Sequence, residues 1–403
     1  MNEQQAQDAA LAGVVVVEIG ANVAAPYCCK LLSDYGATVI KIEPPAGDPA
    51  RASGPFPPSG PDREASALYL YLNTGKQSVT LDLDQAAGQA LARALIGQAD
   101  ILVENSAPGE LAARGLGPDQ MRADNKRLVY LSLTPFGADG PWANWQTTNL
   151  TSYATGGQMN LTGDPGREPL KAGGEQEEYQ LGLNGFGAAL TGLWDALETG
   201  EGQHIDISAQ EVMASTLEIS LNAYAYLGET RWPTRRGNIG SAVVGIYPCA
   251  DGALGVHAMP RNIPALMQTI GMPELIEDER FKGGAARLQH DDELRALIYA
   301  WAAEHNKRDA YALAGAVRGP VAFVHDMADL VESPQLQHRH YLQQIAHPRA
   351  GTLTYPGPPF QMSESPAQIR RAPLLGEHTA ADLRDRLGLS DEDLATLSGV
   401  GAV

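Results

Sequence analysis

The stretch Val14-Val15-Val16-Val17-Glu18-Ile19-Gly20 is an apolar run broken only by Glu18 and followed by a glycine, which predicts a buried β-strand over residues 14–19. Apolar residues then recur at helical spacing through residues 25–32. Residues 38–42 predict a second strand. A strand, a helix and a strand within about 30 residues form the repeating unit of a parallel sheet. This segment therefore predicts an α/β protein.

The same unit recurs along the first half of the chain. Further strands are predicted at residues 79–83, 101–104 and 128–133, with a helical pattern between the first two of them. Repeated units of this kind predict a doubly wound, Rossmann-like sheet, in which ligands bind beyond the carboxyl ends of the strands. No G-x-G-x-x-G motif follows the first strand, so a nicotinamide dinucleotide site is not expected.

Composition narrows the class of protein. The 403 residues carry 29 Lys and Arg against 48 Asp and Glu, a net charge of −19, which disfavours binding to nucleic acid or to an anionic membrane. The first ten residues are polar, and no apolar run reaches the 18 or so residues of a membrane helix. The three cysteines, Cys28, Cys29 and Cys249, show neither a disulfide framework nor a metal motif. We therefore expect a cytoplasmic protein without a bound metal.

Five ordered motifs resemble the signatures of the family III CoA-transferases, the family of formyl-CoA transferase, carnitine CoA-transferase and benzylsuccinate CoA-transferase. The motifs lie at residues 31–43 with Gly47-Asp48-Pro49, at 72–83, at 100–105 with Pro108-Gly109, at 161–165 and at 199–208. Their order and number make the resemblance specific for the family, and they do not identify an acid substrate.

The resemblance implies an architecture. Two chains thread through each other in an interlocked dimer, and each has a Rossmann-like large domain and a smaller domain. In this chain the large domain would comprise residues 1–210 with about 340–403, and the small domain about 230–330, with connecting helices and linkers between them. Coenzyme A, bound as acyl-CoA substrate, would lie across the large domain, and no metal is implied.

The resemblance also implies binding residues. The positions that match the CoA site are Asn22, Val23 and Ala24 after the first strand, Lys76, and Asn105 after a later strand. A lysine can meet a CoA phosphate as a point charge, and an asparagine amide can bond to pantetheine or to an oxyanion.

Two neighbouring positions depart from the family pattern. The arginine that usually follows the motif asparagine by eight residues is Ala113 here, with Arg114 one place later. A small Ser106 replaces the bulky aromatic residue that commonly follows the asparagine, which favours a roomier acyl pocket.

The catalytic position carries the main departure. In the family an aspartate follows a Gly-Pro turn, opens a helix that ends in Leu-Thr-Gly, and attacks the thioester. The spacing from Gly140-Pro141 to Leu161-Thr162-Gly163 places Asn149 there, and an amide cannot act as that nucleophile. The preceding residue is Thr148 rather than the histidine of the racemase branch, so a racemase is not expected.

Four interpretations of Asn149 remain open at this stage. The chain is one subunit of a heteromeric transferase whose related partner bears the aspartate; or another carboxylate acts, among Asp139, Asp164, Glu168 and Glu175. Alternatively the asparagine is engineered, or the chain is a non-catalytic CoA-binding protein. The expected acceptor is a carboxylic acid, and an aromatic succinate such as benzylsuccinate is favoured by Ser106 and by the resemblance to heteromeric members. The expected partners are a paralogous subunit or a second copy of the chain.

Overall fold

The structure is a computed structural model that describes residues 9–163, 167–228 and 243–403. By its internal contacts the chain divides into two units. The first unit comprises the described residues up to 158 together with 171–217 and 338–403, and the second comprises the described residues of 159–170 and 218–337. The domain limits given above stay a prediction.

The first unit is built on a six-stranded parallel sheet with the strand order β3-β2-β1-β4-β5-β6. The strands are β1 (Val15–Ile19), β2 (Thr38–Glu43), β3 (Gln77–Thr80), β4 (Ile101–Glu104), β5 (Val129–Thr134) and β6 (His204–Ser208). This order is that of the doubly wound fold, and it reverses between β1 and β4. The predicted Rossmann-like α/β class is therefore confirmed.

Helices cover both faces of this sheet, and the two-sided burial explains the apolar strands. The helices of the first unit are α1 (Ala24–Asp34), α2 (Ala67–Leu72), α3 (Ala86–Ile96), α4 (Glu110–Ala113), α5 (Pro118–Asp124), α6 (Asn149–Thr155), α8 (Gln176–Thr199), α9 (Ala209–Ser215), α17 (Thr379–Leu387) and α18 (Asp391–Gly399), with α7 (Gln158–Leu161) at the boundary of the units. Val16 and Leu131 pack with α1 and α8 on one face, and Val17 and Tyr130 pack with α3 on the other.

The second unit contains an antiparallel sheet and a set of helices around one apolar core. Its strands are β7 (Val243–Cys249), β8 (Gly252–Ala258) and β9 (Val321–Phe323), and its helices are α10 (Glu218–Leu227), α11 (Ile263–Thr269), α12 (Gly284–Gln289), α13 (Asp291–Ala303), α14 (Lys307–Ala316), α15 (Met327–Val331) and, at its end, α16 (Pro334–His338). The turn dipeptide Asp251-Gly252 predicts a hairpin in this part of the sequence, and β7 and β8 form one.

Two local expectations were wrong. The strand predicted at 79–83 is β3, which begins two residues earlier because Gln77 pairs with Ile40 of β2. The proline-rich sequence of residues 338–373 predicts an irregular segment, whereas the structure has there the antiparallel hairpin of β10 (Leu342–His347) and β11 (Gly351–Pro356). Its core contacts come from Ile345 and Tyr355, which pack against the region of α2. Among the described residues no helix is both long and apolar enough to cross a membrane.

Helix α8 carries an apolar surface that the first unit leaves uncovered. Leu183, Trp194 and Leu197 are 49 %, 70 % and 58 % exposed, and their spacing places them on one stripe of the helix. Exposed apolar stripes of this size usually mark a protein interface. The stripe is what the expected dimer would bury.

We therefore expect the wild-type protein to sediment at twice the 42.8 kDa chain mass, and Trp194→Glu to weaken that assembly by at least about tenfold, because a charge would enter an apolar interface. Sedimentation velocity across a concentration series measures the change. Thr199→Glu, which adds the same charge at the end of the helix, is the control. A well-folded wild-type monomer at micromolar concentration would contradict the expected dimer.

Candidate functional site

The carboxyl ends of β1 and β4 meet at the point where the strand order reverses, and Asn105 joins them. Its side-chain Oδ1 accepts from the backbone N–H of Ala21 at 2.9 Å, and its Nδ2 donates to the Ala21 carbonyl oxygen at 2.9 Å. A side chain on Gly20 would have no room, since a Cβ there would lie 2.5 Å from the Ala25 Cβ. Asn105 therefore fixes the loop that leads into α1.

The loop after β1 brings three of the predicted binding residues together. Asn22 adopts a left-handed conformation with φ of 61°, which asparagine tolerates better than most residues, and its N–H donates to Asp48 Oδ1 at 3.1 Å. Val23 and Ala24 are buried, and α1 begins at Ala24 without a side-chain cap. The first turn of α1 thus presents backbone N–H groups at the carboxyl edge of the sheet. The N-terminus of a helix stabilises negative charge through such groups.

Buried ion pairs lie beneath this loop. Glu18 of β1 is fully buried and accepts from Lys41 Nζ at 2.7 Å and from Lys76 Nζ at 2.7 Å. Lys41 also pairs with Asp48 at 2.8 Å and donates to the Gly20 carbonyl oxygen at 2.9 Å. Burial alone would lower the pKa of Lys41, but the charges of Asp48 and Glu18 raise it above its ordinary value. The network ties the loops that follow β1 and β2 to the strands.

Lys76, the predicted phosphate ligand, belongs to this network. Besides Glu18, its ammonium group donates to the Pro26 carbonyl oxygen at 2.8 Å and to Asn73 Oδ1 at 2.9 Å, which uses all three of its N–H groups. Burial lowers its pKa, opposed by the charge of Glu18. A phosphate could bind Lys76 only by displacing one of these acceptors, so the role stays a prediction.

The structure brings one further carboxylate to the loop after β1. Glu178, on the first turn of α8, has its pKa raised by burial and by the charge of Glu175, while hydrogen bonding from the backbone of Ala24 and Val23 acts in the opposite direction. Its carboxyl group therefore lies at the N-terminus of α1, next to the predicted binding residues Val23 and Ala24. The sequence reasoning did not include Glu178.

Close packing of α8 on α1 sets the position of Glu178. A Cβ on Gly182, one helical turn beyond Glu178, would lie 2.5 Å from the Ala24 carbonyl oxygen. Gly185 is also buried, and a Cβ there would lie 3.4 Å from Cys28 Sγ on α1. The signal in the sequence was a glutamate one turn before a glycine in a long apolar helix, since such a glycine indicates a close helix–helix approach.

Asn149 begins α6, whose N-cap is Thr148, and both polar atoms of its amide are buried without a hydrogen-bond partner among the described residues. Three residues later, the Ser152 hydroxyl bonds to the carboxylate of Glu177, the neighbour of Glu178 on α8. Contact between α6 and α8 is therefore made through Ser152 and Glu177, and Asn149 makes no described contact with Glu178.

The other candidate carboxylates lie elsewhere. Asp139 is exposed in the loop after β5, and Glu175 is the N-cap of α8. Glu168 is exposed and belongs to the second unit, and Asp164 lies outside the described residues.

The positions that depart from the family pattern have local roles. The Ser106 N–H donates to Glu104 at 2.7 Å, and Arg114 pairs with Glu110 at 2.7 Å and with Asp84 at 2.8 Å. Arg114 is therefore engaged by acidic side chains on the surface. No group of three His, Cys, Asp or Glu side chains suited to a metal is found in the part of the chain that the structure describes.

The sequence and the fold were compared with those of known proteins, and the matches agree on one family. The profile of the family described as CoA-transferase family III matches residues 11–379. A succinyl-CoA:(R)-benzylsuccinate CoA-transferase subunit BbsE from Thauera aromatica is 34 % identical over 393 residues, which cover 94 % of each chain. A succinate–glutarate CoA-transferase from Agrobacterium fabrum is 33 % identical, covering 93 % of this chain and 95 % of its own. The solved structure of a CAIB/BAIF family protein from Brucella suis superimposes with a TM-score of 0.84 at 30 % identity, covering 94 % of this chain and 99 % of the other.

Proposed function

Since the chain belongs to CoA-transferase family III, an enzyme family that moves CoA between an acyl-CoA and a carboxylic acid, we propose that its CoA donor is succinyl-CoA and that Glu178 is the attacking carboxylate. The observation that carries the second part is the place of Glu178 at the N-terminus of α1, beside Val23 and Ala24, where Gly182 lets α8 pack closely on the Ala24 carbonyl oxygen. We further propose that the enzyme works in the cytoplasm, on the ground of its cysteine usage.

The choice of donor and acceptor is supported by the relatives. The Thauera and Agrobacterium proteins are named for succinyl-CoA or succinate with a second dicarboxylic acid, benzylsuccinate or glutarate. A substituted succinate such as benzylsuccinate is the acceptor we propose to test first, because Ser106 leaves space where the family carries a bulky ring. Glutarate is the unbranched comparison.

The reaction proposed at Glu178 balances in four displacements. A carboxylate oxygen attacks the thioester carbonyl of succinyl-CoA, the C–S bond breaks, and CoA leaves as thiolate with a mixed anhydride on the enzyme. The thiolate attacks the glutamyl carbonyl, releasing succinate and leaving a glutamyl-CoA thioester. The second acid attacks that thioester through its carboxylate and again releases the thiolate. Attack of the thiolate on the new acyl carbonyl forms the product acyl-CoA and restores Glu178.

The surroundings of Glu178 suit these steps. The backbone N–H groups at the start of α1 stabilise the carboxylate before attack and the negative charge that develops on a neighbouring carbonyl oxygen. Burial withdraws part of the water from the carboxylate, which raises its basicity and hence its nucleophilicity. Asn105 holds the loop that positions these donors.

The second candidate function is a non-catalytic subunit. In that hypothesis a paralogous chain brings an aspartate, and Asn149 marks the vacant nucleophile position of this chain. The name of the Thauera relative as a subunit favours it. The two candidates differ in which chain carries the covalent intermediate.

Intact mass spectrometry distinguishes them. We expect the purified chain alone, treated with succinyl-CoA, to gain the mass of one CoA bound through its sulfur as a thioester. We expect this adduct to disappear with hydroxylamine, which cleaves thioesters. Peptide mapping after borohydride reduction should place the modification at Glu178. Wild-type protein treated with free CoA is the control. An adduct found solely on a co-expressed aspartate-bearing paralogue would establish the subunit hypothesis instead.

A further inference from the structure

We propose that Glu177 is a positioning residue for CoA transfer: its buried side chain fastens α6 to the first turn of α8 and thereby holds the adjacent Glu178 against α1. The inference rests on the proposed role of Glu178. Glu177 does not touch the predicted binding loop, so it acts through its neighbour.

The geometry begins with a buried carboxyl group between two helices. Glu177 is 1 % exposed and Ser152 of α6 is 4 % exposed. One carboxyl oxygen of Glu177 bonds to the Ser152 hydroxyl, and the other, Oε2, is buried without a hydrogen-bond partner among the described residues. A buried ionised carboxylate with an unsatisfied oxygen is costly, whereas a protonated carboxyl group is much less so.

The surroundings of Glu177 also favour the protonated form of its carboxyl group. Burial is the main reason that its pKa rises to about 7; the charges of Glu178 and Glu175 add to the shift, and the Ser152 bond and the charge of Lys171 oppose it. From α6 the facing group is the neutral Ser152, while Glu178 belongs to α8 and Lys171 and Glu175 precede it. The side chain therefore changes charge near neutral pH.

The effect reaches Glu178 because the first turn of α8 is held from two sides. On one side Gly182 packs against the Ala24 carbonyl oxygen of α1, where a Cβ would lie at only 2.5 Å. On the other side Ser152 of α6 holds Glu177. Loss of the Glu177 proton places a second negative charge beside Glu178, with one buried oxygen that has no hydrogen-bond partner among the described residues, and the first turn of α8 shifts to relieve the repulsion. A displacement of about 1 Å at a reacting group can cost a hundredfold in rate.

The test compares Glu177→Gln with wild type in two measurements. Glutamine keeps the size and a bond to Ser152 but does not titrate. We expect the kcat of succinyl-CoA transfer by wild type to fall about tenfold as the pH rises from 6 to 8.5, and the Glu177→Gln variant to lose most of that decrease, with KM nearly unchanged in both. Glu175→Gln, which removes a charge nearby without removing the buried contact, should keep the wild-type decrease. Ser152→Ala should lower kcat at every pH.

The second measurement does not depend on activity. A pKa raised in the folded state gives stability that is complete below the unfolded value near 4.5 and is lost as the pH rises to about 7. The thermal midpoint of Glu177→Gln should therefore exceed that of wild type by several degrees more at pH 8 than at pH 5. An equal difference at both values, or an unchanged alkaline decrease in kcat, would overturn the inference. A pH-dependent midpoint difference in a chain that transfers no CoA would instead refute the proposed function.

Discussion

Glu178→Gln is expected to lower the kcat of CoA transfer by about four orders of magnitude, because an amide cannot form the anhydride and loss of a covalent nucleophile commonly costs that much. The substitution keeps the size of the side chain and removes a half-buried charge, so the fold should persist. Initial rates with succinyl-CoA and benzylsuccinate, followed by chromatography of the acyl-CoA products, measure the change.

Two variants control this experiment. Glu175→Gln removes the nearest other candidate carboxylate and should retain most of the activity. Asn149→Asp restores an aspartate at the position that the sequence motifs indicate, and should change the rate little if Glu178 is the nucleophile. A fully active Glu178→Gln protein, or a large gain for Asn149→Asp, would return the nucleophile to the position of residue 149.

The contrast between these two residues shows what sequence patterns predict well. The order β1–α1–β2 follows from local features: an apolar run, helical spacing and a second apolar run. The repeated unit predicts that binding residues gather beyond the carboxyl ends of the parallel strands, and the structure places Asn105 there, beside the loop after β1. Each of these inferences needs only short-range pattern and a general rule of α/β folds.

The position of Glu178 could not be predicted from short-range pattern. It depends on the approach of α8 to α1, two helices about 150 residues apart along the chain, and only Gly182 and Gly185 indicate how close that approach is. Motif spacing counts residues along the chain and carries no information about which helix end faces which loop. Hence the sequence reasoning assigned the family's nucleophile position to Asn149 on α6, where an amide is expected to be inactive, and did not consider Glu178 on α8.

The burial of Lys76 also depends on a residue far away in the sequence. A lysine after a loop is usually solvated, and the family resemblance gave it a phosphate ligand. In the structure its side chain is fully buried because Glu18, 58 positions away on β1, supplies the opposite charge. A single sequence does not reveal such a pair, since alternating strands can place either residue inside or outside the core.

Removing Lys76 from its buried pair with Glu18 should have a large effect on stability. Lys76→Ala should lower the free energy of unfolding by about 3–5 kcal/mol, because it leaves one Glu18 oxygen without its cation in the core. Lys41 still pairs with Glu18, which limits the loss. Denaturant unfolding monitored by circular dichroism measures the change, and Lys126→Ala, at an exposed lysine, is the matched control.

Titration calorimetry with free CoA then separates a structural role of Lys76 from a direct one. The double variant Lys76→Met with Glu18→Gln removes both members of the pair, so neither partner is left charged and unpaired. If Lys76 serves the fold alone, this variant should regain part of the lost stability and, with it, part of the CoA affinity. If Lys76 reaches a phosphate, affinity should stay low in the double variant although stability recovers. Loss of CoA binding in Lys76→Ala at an unchanged unfolding free energy would contradict the structural role, since an ammonium group with three buried acceptors cannot be removed without cost to the fold.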